Sequence, residues 1–311
     1  MPEGIGRRFL SQVPGYRQLM SAFSLRSRRE EGNTFPEAFP PGHFYSPLPD
    51  PHAVARDKAI LFDRAITAVP GIDVRANDQL SLVSQFAEFY HDLPFEREPR
   101  DGVRYYYDNS WFPYGDAIIL YSMLRRYRPR KVIEVGSGFS SAVMLDTNDR
   151  FLSKQIVLTF VEPYPDRLLS LLSDEDRARH DIVKDVVQNI PVGRFAALDE
   201  GDILFVDSSH VAKIGSDVVH LFTNVLPALK RGVIVHFHDV FWPFEYPEEW
   251  IRSGNAWNEA YFLKAFLQFN SAFKILFFNS YMGFHHRGAM EESLPLFLTN
   301  PGGSIWIEKV A

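Results

Sequence analysis

The chain has no cysteine among its 311 residues, which excludes disulfide frameworks, thiolate metal sites and cysteine nucleophiles. It has no excess of positive charge either. The formal net charge is −6, the wrong sign for a protein that works by neutralising nucleic-acid phosphates. No apolar run approaches the roughly 20 residues that a membrane-spanning helix needs. Near the start, Gln12, Pro14 and Arg17 interrupt the apolar positions, unlike the core of a secretory signal, so a cytoplasmic protein is expected. Internal repeats and low-complexity tracts are also missing. Any chemistry must therefore rest on His, Asp, Glu, Lys, Tyr or a bound cofactor.

What is present is enough apolar sequence, 46% of residues, to bury a large core. The opening stretch Arg7–Glu30 is basic with interspersed Phe9, Leu10, Val13, Leu19, Met20 and Phe23, and reads as a frayed terminus or a helix packed on the main domain more readily than as an amphipathic segment for a membrane surface or partner. Phe35–Pro51 is dense in proline and aromatics and predicts an extended surface segment. Helical spacing over Asp57–Val69 and Asp78–Tyr90 makes residues 1–113 a largely helical extension, a candidate lid or oligomerisation element. A further helix is expected over Ala117–Tyr127, stopped by Pro129.

From there the pattern alternates strand, loop and helix, as in a parallel sheet covered on both faces. Strands are expected at Lys131–Val135, Gln155–Val161, Asp181–Val183, Asp202–Val206 and Arg231–Phe237, and helices at Ser140–Asp146, Asp166–Leu172, Ser216–Leu229 and Asn258–Phe269. Two late runs, FKILFFN and SIWIEKV, add strand candidates. The fold class is α/β: a Rossmann-like doubly wound sheet, mostly parallel, in residues 114–311.

The sharpest local signal is KVIEVGSGFSSAVMLD, Lys131–Asp146. Gly136, Ser137 and Gly138 let backbone approach a ligand without Cβ obstruction at a strand-to-helix turn. Ser141 stands where a dinucleotide-binding turn has its third glycine. Glu134, two residues before the turn, would repel a pyrophosphate but favour ammonium and sulfonium charge. The turn therefore suits a cationic, phosphate-free nucleoside. DILFVDSSH and GVIVHFHDVFWP each end a buried strand in a polar cluster, and ligands bind at that carboxyl edge. Asp207, His210, His238 and Asp239 should meet there, and their oxygen and imidazole donors suit Mg²⁺, Mn²⁺, Fe²⁺ or Zn²⁺.

VIEVGSGFSS resembles the first motif of class I S-adenosylmethionine-dependent methyltransferases. The resemblance spans about Tyr114–Ala311. It implies that Gly136, Ser137 and Gly138 hold the methionine part of the cofactor, that Glu162 in TFVEPYP binds the ribose hydroxyls, that Tyr164 or Pro163 flanks the adenine and that Asp185 meets the adenine amino group. It also implies an antiparallel last strand. The polar clusters resemble those of metal-dependent catechol-type and natural-product or sugar O-methyltransferases, in which an Asp ends the fourth strand, a lysine follows three residues later and an Asp-Asn pair ends the fifth. Here His210 takes the lysine position and His238 with Asp239 the pair. The expectation is a divalent cation on Asp207, His238 and Asp239, with His210 as general base, and a small-molecule acceptor methylated at oxygen. Trp242, Phe244 and Tyr246 are expected as walls of the acceptor pocket, with the segment Gly42–Pro49 as a lid. The alternatives are an NAD(P)-dependent oxidoreductase, which shares the glycine turn and ribose acid, and a non-catalytic Rossmann-like binding protein.

Overall fold

The computed structural model describes residues 39–311, so the basic stretch Arg7–Glu30 lies outside the described residues. The chain divides into two compact units, Met1–Lys58 and Ala59–Ala311. In the first, residues 42–48 form a self-closed turn in which Gly42 N donates to Leu48 O and Ser46 N to His43 O. Helix α1 (Pro51–Leu61) begins there. It starts and ends earlier than its apolar spacing suggests. Pro51 suits a first helical position, and the Asp50 carboxylate accepts the His52 N–H. The Asp63 carboxylate, accepting from Ala65 N, draws the next residues into a turn that competes with helix.

The second unit is built on one seven-stranded sheet of order β3-β2-β1-β4-β5-β7-β6. The strands are β1 (Lys131–Val135), β2 (Val157–Val161), β3 (Asp181–Val183), β4 (Ile203–Val206), β5 (Ile234–His238), β6 (Phe273–Phe278) and β7 (Ser304–Lys309). The first five run parallel, and β7 inserts antiparallel between β5 and β6. Strands β4 and β5 are buried at every residue, as expected where helices cover both faces. Because the chain winds outward from β1 in one direction and resumes at β4 in the other, a crevice opens at the carboxyl ends of these two strands.

The helices of this unit are α2 (Ala76–Tyr90), α3 (Tyr114–Tyr127), α4 (Phe139–Phe151), α5 (Asp166–Leu171), α6 (Asp174–Arg179), α7 (Val192–Phe195), α8 (Asp217–His220), α9 (Leu226–Ala228), α10 (Glu248–Arg252), α11 (Glu259–Leu267), α12 (Asn279–His285) and α13 (Arg287–Ser293). The run expected as one helix over Ser216–Leu229 is helical without a break from Asp217 to Ala228. A π turn at Leu221–Val225 joins α8 to α9. Pro227 has no N–H to continue the ladder, which accounts for the irregular turn ahead of it.

Residues 69–113 pack on this sheet. Phe86, Tyr105, Tyr107 and Phe112 are buried in the common core. Arg104 pins the segment by ion pairs to Asp146 at 2.7 Å, Asp176 at 2.8 Å and Asp149 at 3.0 Å. Among the described residues no helix is long and apolar enough to cross a membrane.

Candidate active site

Gly136 closes β1 with φ +81°, and a Cβ there would lie 1.8 Å from the Asp207 carbonyl oxygen. Only glycine lets β1 and β4 end this close together. Asp207 N donates to Val135 O at 2.8 Å, and Gly136 N to Val161 O at 3.0 Å. Helix α4 then starts from Gly138, whose N–H is received by Ser141 Oγ at 3.0 Å.

Glu134 organises this turn from beneath and lines neither adjoining cavity. Its carboxylate is fully buried and accepts from the Ser140 and Ser141 hydroxyls. The reading that sets Glu134 against the ligand's charge gives way to this internal role, which also explains why a serine occupies position 141. Burial pushes the Glu134 carboxyl up to about 8, with the serine hydroxyls opposing the rise. A raised folded-state value favours folding most below the unfolded value near 4.5 and loses that advantage as pH climbs toward 8. Stability should therefore fall across that window by on the order of a few kcal/mol from this group, and Glu134→Gln should flatten that part of the profile. Denaturant titrations of both proteins at pH 5, 7 and 9 check it; parallel profiles would refute it.

Two cavities flank the turn. The first, about 570 Å³, is lined by Gly136, Glu162, Tyr164, Val187, Gln188 and Asp217 among others. Glu162 sits as the resemblance implies, at the end of β2 on the cavity wall. One carboxylate oxygen accepts from Ser137 N at 3.1 Å and the other from Tyr164 N at 2.8 Å, tying the first two loops together. Tyr164 also lines the cavity and is 84% exposed, a ring free to cover a ligand. Asp185 does not line it. Its carboxylate accepts from Val186 N and Asn189 Nδ2, both at 2.8 Å, and so holds its own loop. Gln188 takes the wall position instead: Nε2 donates to Gly215 O, while Oε1 is buried without a partner. An orphaned buried acceptor is costly unless a ligand or water completes it.

The second cavity, about 330 Å³, shares Asp207, Ser208 and Ser209 with the first. Ser137, His210, His238, Asp239, Trp111 and Trp257 also line it. His210 Nε2 lies 3.3 Å from Asp239 Oδ2 and 3.5 Å from Asp207 Oδ1. One ligand atom from each of Asp207, His210 and Asp239 falls within 4.8 Å of the others. His238 stands beside this triple, Nε2 3.7 Å from Asp239 Oδ1, with Nδ1 buried and unpartnered. The fold thus brings all four candidates together but groups His210, rather than His238, with the two aspartates. Both His210 and Asp239 have left-handed backbone, φ +59° and +56°, a conformation uncommon outside glycine and tolerated better by His and Asp than by most residues.

Glu259, at the start of α11, is a site residue that sequence pattern does not reveal. It is 1% exposed, accepts from Ser208 Oγ at 2.9 Å and meets His210 Nδ1 at 2.8 Å. Backbone N–H groups of Asn258 and Glu259 donate to His210 O. Burial alone would lower the His210 pKa, but the hydrogen bonds to Asp207 and Glu259 and the nearby carboxylates raise it well above its ordinary value. Asp207 shows the converse balance: burial would raise it, and His238, His210 and Arg167 together hold it below. Burial raises Asp239. His236 shares the face of β5 that carries His238, the two rings 5.6 Å apart, and stacks on Phe205 at 3.8 Å, where burial drives its pKa far down.

Trp242, Phe244 and Tyr246 are core residues, each at most 2% exposed, and do not line this cavity. Trp242 Nε1 donates to Ile66 O, so this ring staples the earlier segment to the sheet. The aromatic walls are Trp111, Phe112, Phe139 and Trp257.

A parallel sheet carrying one antiparallel strand, a glycine turn after β1, an acid at the end of β2 and polar clusters after β4 and β5 are the arrangement that the resemblance to class I S-adenosylmethionine-dependent methyltransferases implies. Residues 133–240 match the model of a methyltransferase domain family. The chain is 31% identical over 170 residues to an uncharacterized protein of Archaeoglobus fulgidus, covering 53% of this chain and 76% of that one, and belongs to the same family. Among solved structures it is similar to the S-adenosylhomocysteine-bound methyltransferase PaMTH1 of Podospora anserina, with 14% identity over 79% of this chain and 100% of that one and a TM-score of 0.42. It is also similar to the O-methyltransferase TomG of Streptomyces achromogenes in complex with S-adenosylmethionine, with 14% identity, coverage of 83% and 95%, and a TM-score of 0.39.

Proposed function

We propose that the protein transfers a methyl group from S-adenosylmethionine to a hydroxyl oxygen of a small molecule, beside a divalent-cation site made by Asp207, His210 and Asp239. The convergence of these three donors within 4.8 Å, next to the glycine turn, carries this reading. The nucleoside would occupy the cavity walled by Glu162, Tyr164 and Gln188, and the acceptor would enter past Trp111 and Trp257. The acceptor oxygen attacks the methyl carbon while the carbon–sulfur bond breaks, the bonding pair staying on sulfur and the hydroxyl proton passing to a base. A bound cation would supply charge that lowers the acceptor's pKa.

Within the chain, Glu259 holds His210 Nδ1 and so directs Nε2 at the two aspartates, as a carboxylate typically does behind a metal-binding histidine. As a ligand His210 has no ring nitrogen free for proton transfer, since Nε2 faces the aspartates and Nδ1 is held by Glu259. His238, on the cavity wall just outside the triple, takes the proton in this scheme. In the rival grouping His238 joins the aspartates and His210 is the base.

Mn²⁺ titration followed by electron paramagnetic resonance separates the two. Expected is loss of affinity in His210→Ala and its retention in His238→Ala, with Glu259→Gln weakened about 10–100-fold. Because a ligating imidazole must be neutral, wild-type affinity should also climb from pH 6 to pH 8. The opposite pattern between the two histidine variants supports the rival grouping, and no Mn²⁺ binding by the wild type ends the metal reading. Turnover is followed as S-adenosylhomocysteine release with a panel of phenols and sugars.

A further inference from the structure

The second cavity has one permanent cation in its wall, Arg167 near the start of α5, and among the described residues no carboxylate forms an ion pair with it. Its guanidinium carbon lies 3.7 Å from the centroid of the Trp111 ring. That indole is 59% exposed, so a large ring stays at the cavity mouth with a cation laid over its face. The Arg167 stem runs across the glycine turn: a Cβ at Gly138 would lie 3.2 Å from Arg167 Cδ. The guanidinium therefore sits by the turn, near enough to influence Asp207, yet paired with none of the site's acids.

A planar fork held in one place and left unpaired suits a ligand carboxylate. The two cavities join at Asp207, Ser208 and Ser209, so a ligand with its nucleoside in the first would carry its other end into the second. Lys213 lines only the nucleoside cavity. The methyl donor has a single carboxylate, at the end away from its adenosine. Within the function proposed above, on which this step rests, we infer that Arg167, lying on Trp111, is the counter-ion for the donor's α-carboxylate. It makes the site favour the complete donor or its homocysteine product over nucleosides lacking the amino-acid end.

The test is calorimetric titration of wild type, Arg167→Gln and Arg167→Lys with S-adenosylhomocysteine and with 5′-methylthioadenosine, which has no amino-acid end. Arg167→Gln should weaken S-adenosylhomocysteine about tenfold or more and leave methylthioadenosine within about twofold. Arg167→Lys should recover part of the loss, and Trp111→Ala should produce a smaller loss with the same selectivity. Unchanged S-adenosylhomocysteine affinity in Arg167→Gln, or equal weakening of both nucleosides, overturns the assignment. A wild type that binds neither nucleoside would instead bring down the cofactor reading beneath it.

Discussion

Gly136→Ala should lose both stability and cofactor binding, at a cost of at least about 3 kcal/mol. The added Cβ would stand 1.8 Å from the Asp207 carbonyl oxygen, and the residue would have to keep φ at +81°. Neither strain has an easy release. The opposing atom is backbone, and Asp207 is held to Val135 by a 2.8 Å hydrogen bond, so opening the contact means parting the ends of β1 and β4. That movement would shift the wall shared by both cavities. Urea unfolding and S-adenosylhomocysteine titration give the two readouts, and a variant within 1 kcal/mol of wild type would refute the account of the turn.

Asp207→Asn should abolish cation binding while sparing the nucleoside. The side chain supplies one of three converging donors, and neutral amide is a poor substitute for carboxylate toward a hard cation. Losing a residue that only orients a ligand typically costs about 10–100-fold in metal affinity, so losing a ligand should cost at least about 100-fold. Because Asn retains the shape of Asp and the backbone hydrogen bond to Val135, S-adenosylhomocysteine should still bind within a few-fold of wild type. Asp239→Asn should behave alike. Mn²⁺ titration beside nucleoside calorimetry reads both effects, and undiminished Mn²⁺ affinity in either variant would remove that aspartate from the site.

Much of the architecture was legible along the chain. Strands such as ILFV are apolar throughout because helices cover both faces of the sheet, and the two glycines mark β1's end because that turn admits no side chain at position 136. The place of Glu162 at the end of β2 was legible for the same local reason, as a polar residue directly after a buried strand. Boundaries governed by competing hydrogen bonds were harder to place. The Asp63 carboxylate helps stop α1, though the apolar spacing continues past it, and the helical run through α8 and α9 takes a π turn ahead of Pro227.

The site divides along a similar line. Asp207, His210, His238 and Asp239 could be assigned to one sheet edge from the strands they follow, since a parallel sheet delivers every strand's carboxyl end to the same side. Which of them share a ligand, and which way each acid points, depended on packing between segments far apart in the chain. Glu134 turned inward to two serines, Asp185 closed its own loop, and Glu259, forty-nine residues from His210, came to hold its ring. Strand order and the placing of polar residues at strand ends follow from local periodicity and chain direction. The pairing of individual side chains follows only from the three-dimensional packing that sets which donor lies within about 3 Å of which acceptor.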